Sequence, residues 1–230
     1  MKDSVIIYSG GMDSTTLLYQ FKKTIGLAIS FDYGSNHNDK EFEYAKYHTE
    51  KLGIEHIRIN IKETMQYFKS GLLEGADAIP EGHYADENMT KTVVPFRNGI
   101  MLSIAAGIAE SRKFNKVLIA NHFGDFAQYP DCRLSFIDAM KEAIKQGTDT
   151  KVQILAPYTN ISKEDIAEMG VSYGIDYKTT WSCYKADTDV HCGKCGTCVE
   201  RIWALRKFND PTIYEDKDFA INILKVAGEW

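Results

Sequence analysis

No run in the 230 residues approaches the ~20 consecutive apolar residues needed to cross a bilayer. The start of the chain carries an acid at Asp3 and only a short apolar run, so no secretory signal is visible and the cytoplasm is the expected compartment. An excess of positive charge is missing as well: 27 Lys and Arg stand against 32 Asp and Glu, a net charge of −5. Proteins whose affinity rests on neutralising many phosphates are usually basic, so nucleic acid is not an expected partner, and neither is a membrane. Cysteine is scarce. There are five, and four of them (Cys183, Cys192, Cys195, Cys198) fall close together, which in a reducing compartment points away from disulfides and toward a metal. Internal repeats and low-complexity segments are absent. What remains is 44% hydrophobic and 26% charged, the composition of a globular protein with a real core.

Apolar runs at Val5–Tyr8, Ile25–Phe31, His56–Ile59, Val117–Ala120 and Val152–Leu155 alternate with helical patterns. Asp13–Phe21 and Lys40–Leu52 follow the first two runs. Arg97–Arg112 carries Met101, Ile104, Ala105 and Ile108 at helical spacing, and Phe136, Ile137, Met140 and Ile144 mark another helix. Ser162, three residues before Asp165, fits a helix cap. Five strands alternating with helices imply crossover connections, hence an α/β fold with a five-stranded parallel sheet flanked by helices. Glu63–Val93 breaks the alternation and reads as a short helix followed by a surface loop, either a lid or an insertion. A helix near Val199–Phe208 and a short tail close the chain.

The stretch Tyr8-Ser9-Gly10-Gly11-Met12-Asp13-Ser14-Thr15 runs from a strand into a helix. Glycines let backbone N–H groups approach a ligand, and a new helix offers free N–H groups at its positive end. That combination suits a phosphate. The spacing fits neither a Walker loop nor a dinucleotide fingerprint. The plain alternative is a tight turn capped by Asp13 or Ser14.

Ser9-Gly10-Gly11-Met12-Asp13-Ser14 resembles the S-G-G-x-D-S loop of the PP-loop, or N-type, ATP pyrophosphatases. The resemblance implies the adenine nucleotide alpha-hydrolase-like sheet and cleavage of ATP between its α- and β-phosphates. It implies ATP contacts along Tyr8, Ser9, Gly10, Gly11, Met12, Asp13, Ser14, Thr15, Thr16, Leu17 and Leu18, with Mg2+ bound alongside the ATP.

Cys183-x8-Cys192-x2-Cys195-x2-Cys198 supplies four thiolates suited to a tetrahedral structural zinc, with a four-iron cluster as the alternative. His191 could replace one thiolate, but the set is complete without it. Cys132 stands apart, more a pocket or core thiol than a nucleophile.

Three further stretches narrow the resemblance: Ser30-Phe31-Asp32-Tyr33-Gly34, Val94-Pro95-Phe96-Arg97-Asn98, and Asp125 through Tyr129-Pro130-Asp131-Cys132-Arg133. Together with the cysteine spacing they resemble the 7-cyano-7-deazaguanine synthase family, departing from its pattern at Gly99-Ile100, Ala127-Gln128 and Ser135. The resemblance implies that 7-carboxy-7-deazaguanine, ammonia and ATP are the small-molecule substrates and a nitrile the product, in the biosynthesis of queuosine or related 7-deazapurines. It implies Asp13, Lys163 and Asp125 as catalytic residues, and Asp32, Arg97, Asn98, Tyr129 and Arg133 as substrate-binding. Bland alternatives stand beside these: a solvated helix-start lysine at Lys163, surface ion pairs for Arg97 and Arg133, and a strand-end cap at Asp32. The expected division is residues 1–176 for the ATP pyrophosphatase domain and 177–230 for a small zinc-organised helical region. A homodimer would not be surprising. Other classes open at this point are a tRNA-modifying PP-loop enzyme, such as a thiolation enzyme or lysidine-type ligase, and a non-enzymatic zinc-stabilised nucleotide-binding module. Acidic charge and compact length count against the first, the complete loop against the second.

Overall fold

The computed structural model describes residues 2–75, 79–126, 128–185 and 188–230. Five strands, β1 (Ser4–Ile7), β2 (Ile25–Asp32), β3 (Glu55–Asn60), β4 (Lys116–Leu118) and β5 (Gln153–Leu155), form one parallel sheet in the order β3-β2-β1-β4-β5. Central strands covered on both faces read as continuous apolar runs, as β1 and β2 do. Val5 pairs with Leu27 on one side and Val117 on the other. Successive residues of β1 serve opposite faces: Val5 joins a core with Ile29 and Val117, Ile6 one with Ala28 and Leu118.

Helices α1 (Met12–Phe21), α2 (Asn38–Leu52) and α6 (Lys163–Ser172) contribute Leu17, Leu18, Ala45 and Ile166 to the second core. Helices α4 (Arg97–Ser111) and α5 (Leu134–Gly147) cover the first face through Leu102, Ala105, Ile137 and Ile144. By length and mean hydropathy Glu87–Ser111 would pass as a membrane span. A left-handed Phe96 (φ 56°) interrupts it, and the apolar residues of α4 pack on β1 and β4. The segment after β3 begins with the short α3 (Lys62–Met65) and then runs irregularly. It is tied down by Leu72, by Met89, and by Gly82 N–H bonding Lys194 O at 3.1 Å.

The C-terminal region holds α7 (Gly196–Leu205) and a second helix, α8 (Lys217–Ala227), where only a tail was expected. Asp216 caps α8 by accepting the Phe219 N–H at 3.0 Å, and Gly228, at φ 75°, ends it. Ala220 and Leu224 bury it against Val199 and Ile202 of α7.

Connections from β1 run to one side of the sheet and β4 lies on the other, so the order reverses between β1 and β4. Ligands of open parallel sheets bind above the strand ends at such a switch point. The main cleft is there.

Leu17 and Leu18 are fully buried in the second core. Leu18→Ala should therefore cost about 2–5 kcal/mol of stability in urea denaturation and leave the affinity for nucleotide near wild type. A loss of nucleotide affinity without loss of stability would contradict this placement.

Candidate active site

The glycine loop leaves β1 at Tyr8 and turns into α1. Gly10 takes a left-handed φ of 82° and packs so closely on α2 that a Cβ there would lie 2.5 Å from Glu41 O. Gly11 is the N-cap of α1 with no side-chain cap, so the first N–H groups of the helix remain available. Ser14 does not cap. Its hydroxyl bonds Ser9 Oγ at 3.1 Å, and Ser9 Oγ in turn accepts the Gly11 N–H at 3.2 Å. Tyr8, Ser9, Gly11, Met12, Asp13 and Ser14 line the cleft. Gly10 backs onto α2, and the side chains beyond Ser14 turn away. Thr15 bonds the Tyr8 hydroxyl at 3.1 Å, Thr16 bonds that of Tyr177 at 3.0 Å, and Leu17 and Leu18 fill the core.

Asp13 reaches from α1 toward Lys163, the first residue of α6, at 3.2 Å. Ser162 caps α6 as expected, accepting the Asp165 N–H. Lys163 is buried rather than solvated, and its ammonium also bonds Glu200 of α7 at 2.7 Å. Burial alone would lower Lys163, but Asp13, Glu200 and Asp125 hold it well above the ordinary lysine value. Burial pushes the Asp13 carboxyl up, yet Lys163 and His122 more than offset this and leave it below the usual carboxylate range. His122, just past β4, accepts the Gly124 N–H on Nδ1 at 3.1 Å. Its Nε2 faces Asp125 at 3.6 Å, Asp13 at 3.8 Å and Glu200 at 3.9 Å. Asp125 also accepts the Tyr84 hydroxyl at 3.0 Å. The three expected catalytic residues thus meet in one cluster, together with His122 and Glu200.

Arg97, at the start of α4, enters the same cleft. Its guanidinium donates to the Tyr33 hydroxyl at 3.1 Å and stacks on that ring. Burial works against its charge, but the surrounding Tyr33, Tyr129, Tyr184 and Asp131 hold it firmly protonated. Tyr129 lines the cleft and shares hydroxyl contacts of 3.0 Å with Thr92 and Tyr184. Asn98 lines it too, but its side chain is engaged by Cys132 Sγ and Asp131 O. Cys132 is buried, and desolvation together with Asp125 and Asp131 keeps it a thiol.

Two expected substrate contacts lie elsewhere. Arg133 is exposed, and its Nε donates to Phe126 O at 3.0 Å. Asp32 sits buried behind the cleft wall, where it accepts from Arg58 at 2.6 Å and so fixes a side chain that does line the cleft. Of the departures from the family pattern, Gly99, Gln128 and Ser135 are absent from the cleft lining, and Ala127 lies outside the described residues. Gly99 has a local reason: a Cβ there would meet the Phe96 ring at 2.4 Å.

His122, Glu200, Glu41, Tyr84 and Tyr184 were not anticipated as site residues. His122 was recoverable, since residues just past a strand end are placed over the sheet. Nothing in the sequence around Glu200, two residues after Cys198, singles it out.

The four cysteine sulfurs lie within 4.8 Å of one another, with Cys183–Cys195 and Cys192–Cys198 separations of 4.0 and 3.9 Å. Four sulfurs at ~2.3 Å from one ion would sit roughly 3.8 Å apart in a tetrahedron, so the set fits a metal. Backbone N–H groups of Lys185, Cys192, Lys194 and Cys195 point at the sulfurs at 3.3–3.4 Å. His191 stays outside the set: it packs on Trp181 and accepts the Ser182 N–H. The knuckle abuts the loop, because Trp181 N–H donates to Gly10 O at 3.2 Å.

A family model described as queuosine biosynthesis protein QueC matches residues 3–209. The chain belongs to the QueC family. Among curated proteins, the 7-cyano-7-deazaguanine synthase of Porphyromonas gingivalis is 58% identical over 93% of this chain and 98% of its own length. The enzyme of the same description from Desulfotalea psychrophila is 49% identical over 90% and 94%. That from Caldicellulosiruptor saccharolyticus is 45% identical over 92% and 95%. This QueC family member thus aligns with synthases along nearly their full length, and the matched region includes the glycine loop, Lys163, Glu200 and all four knuckle cysteines.

Burial pushes the Glu41 carboxyl up to about 8 from a usual 4.5, with Arg97 pulling the other way. A raised folded value means that ionising Glu41 costs stability, a cost absent below the unfolded value and complete above the folded one. Glu41→Gln should therefore gain on the wild type as pH rises from 4.5 to about 8 and hold that gain above it. Melting temperatures across this range check it, and parallel curves for the two proteins would refute it.

Proposed function

We propose that this chain converts 7-carboxy-7-deazaguanine, ammonia and ATP into 7-cyano-7-deazaguanine. What carries the reading is the near full-length identity to the synthases, joined to a cleft that brings the glycine loop, Lys163 and Arg97 together.

A carboxylate is a poor electrophile. Its oxygen attacks the α-phosphorus of ATP, pyrophosphate leaves, and the acyl-adenylate gains a good leaving group. Ammonia attacks the acyl carbon, loses a proton, and AMP departs to give the amide. The amide oxygen then attacks the α-phosphorus of a second ATP, and pyrophosphate leaves again. Loss of AMP and of both N–H protons leaves the nitrile.

In this scheme the Ser9–Ser14 loop and the start of α1 receive the pyrophosphate portion of ATP. Lys163, held charged by its carboxylates, stabilises the charge that builds on the phosphates as they part. Asp13 is the residue for the Mg2+ that accompanies ATP, an ion that prefers oxygen ligands. Arg97 offers the substrate carboxylate a planar pair of donors. Tyr84, Tyr129 and Tyr184 wall the cleft and help to exclude water that would hydrolyse the activated intermediates. Zinc is the ion we assign to the four cysteines, where it organises the fold; a closed four-thiolate site leaves no position for a substrate.

Two AMP should form per nitrile, and synthetic 7-amido-7-deazaguanine with ATP should give the nitrile without ammonia. Mass spectrometry of products is the test. An amide that accumulates and is inert to ATP would make the protein an amide ligase instead.

For the metal, elemental analysis should find one zinc per chain. Cys195→Ser should lose it and destabilise the C-terminal region, because metal binding free energy is folding free energy. Iron with a visible absorption band would reverse the assignment.

A further inference from the structure

We propose that Glu41 reads the N–H edge of the base in the cleft and so restricts the enzyme to substrates of the guanine type. The inference rests on the proposed reaction and adds the residue that selects its substrate. Three acids line the cleft. Asp13 is engaged by Lys163, and Asp125 by Tyr84 and His122. Glu41 differs: among the described residues its carboxylate accepts no hydrogen bond, and its nearest ionic contact is His37 Nε2 at 4.0 Å. Burial drives His37 down to about 3, so that neighbour brings no charge. The position of Glu41 is nonetheless fixed, because Gly10 of the phosphate loop packs directly on its backbone carbonyl.

Arg97 shares the cleft in a similar condition. It is charged, bonds only the Tyr33 hydroxyl, and forms no ion pair with Glu41 or any other acid among the described residues. A cleft with an uncommitted carboxyl and an uncommitted guanidinium fits a ligand that carries the complement of each. 7-Carboxy-7-deazaguanine does. Its carboxylate sits on the five-membered ring, and its six-membered ring presents a ring N–H beside an exocyclic amine. Two adjacent N–H donors match the two oxygens of one carboxylate, and their approach favours the ionised form of a carboxyl that burial otherwise keeps protonated. Sites built to hydrogen-bond a group discriminate strongly against analogues lacking it, because the buried partner is left unpaired.

The test compares 7-carboxy-7-deazaguanine with its 2-deamino analogue on the wild type and on Glu41→Gln. The wild type should prefer the guanine-type substrate by about 100-fold or more in kcat/KM. In Glu41→Gln that preference should fall below about 10-fold, through KM for the base, with KM for ATP unchanged. A wild type that uses both substrates equally overturns the proposal, whatever the variant's stability. So does a variant that keeps the wild-type preference or loses ATP affinity instead. A wild type inert toward 7-carboxy-7-deazaguanine itself would refute the underlying reaction, a different failure that the same assay identifies.

Discussion

The candidate active site depends on one buried cation. Lys163 begins α6, and its ammonium is held between Asp13 of α1 and Glu200 of α7. Three helices from distant parts of the chain are thereby fixed to one point. A buried lysine is costly unless its charge is matched, and the same holds for each carboxylate. The cluster is therefore strict about its cation: without Lys163, Asp13 and Glu200 would face each other unneutralised. That strictness sets the distance between the N-terminus of α1 and the C-terminal region, and with it the width of the phosphate end of the cleft.

The rest of the cleft follows from how charge is distributed around that point. Acids already engaged by Lys163, Tyr84 and His122 repel an incoming polyanion less than free carboxylates would. The unengaged guanidinium of Arg97 lies among tyrosines, which accept its hydrogen bond and stack on it without neutralising it. A long-lived activated intermediate needs such walls: polar where orientation is required, aromatic where water must be kept away.

Much of this was legible in the sequence, for physical reasons. The central strands of a doubly covered sheet must be apolar on both faces, and the edge strands keep short β-branched runs such as Ile57 and Ile59, so all five were visible, to within a few residues at their ends. The glycine loop was visible because only glycine tolerates both the φ of Gly10 and its approach to α2. Four thiols so closely spaced have few other uses. Long-range pairing was less visible. Lys163 as a buried group, Glu200 as its partner and His122 as their neighbour depend on how helices stack, which local pattern does not encode. Arg133 shows the reverse case. It follows Cys132 directly, yet a change of direction at the start of α5 carries it out to solvent. Helix α8 carried its start and stop signals in Asp216 and Gly228 and is at least as long as α1, so it was legible too.

Helix α7 begins at the knuckle, with Cys195 as its cap and Cys198 in its first turn, and presents Glu200 to the lysine cluster two residues later. Trp181, Ser182, Tyr184 and Thr197, from the same region, stand in the cleft wall. The knuckle and the lysine–carboxylate cluster thus share a single rigid rod less than one turn apart. The terminal quarter of the chain cannot be exchanged like a bolted-on module during evolution. Any substitute fold would have to present an acid to Lys163 at the same height and a backbone N–H to Gly10 O at the same angle.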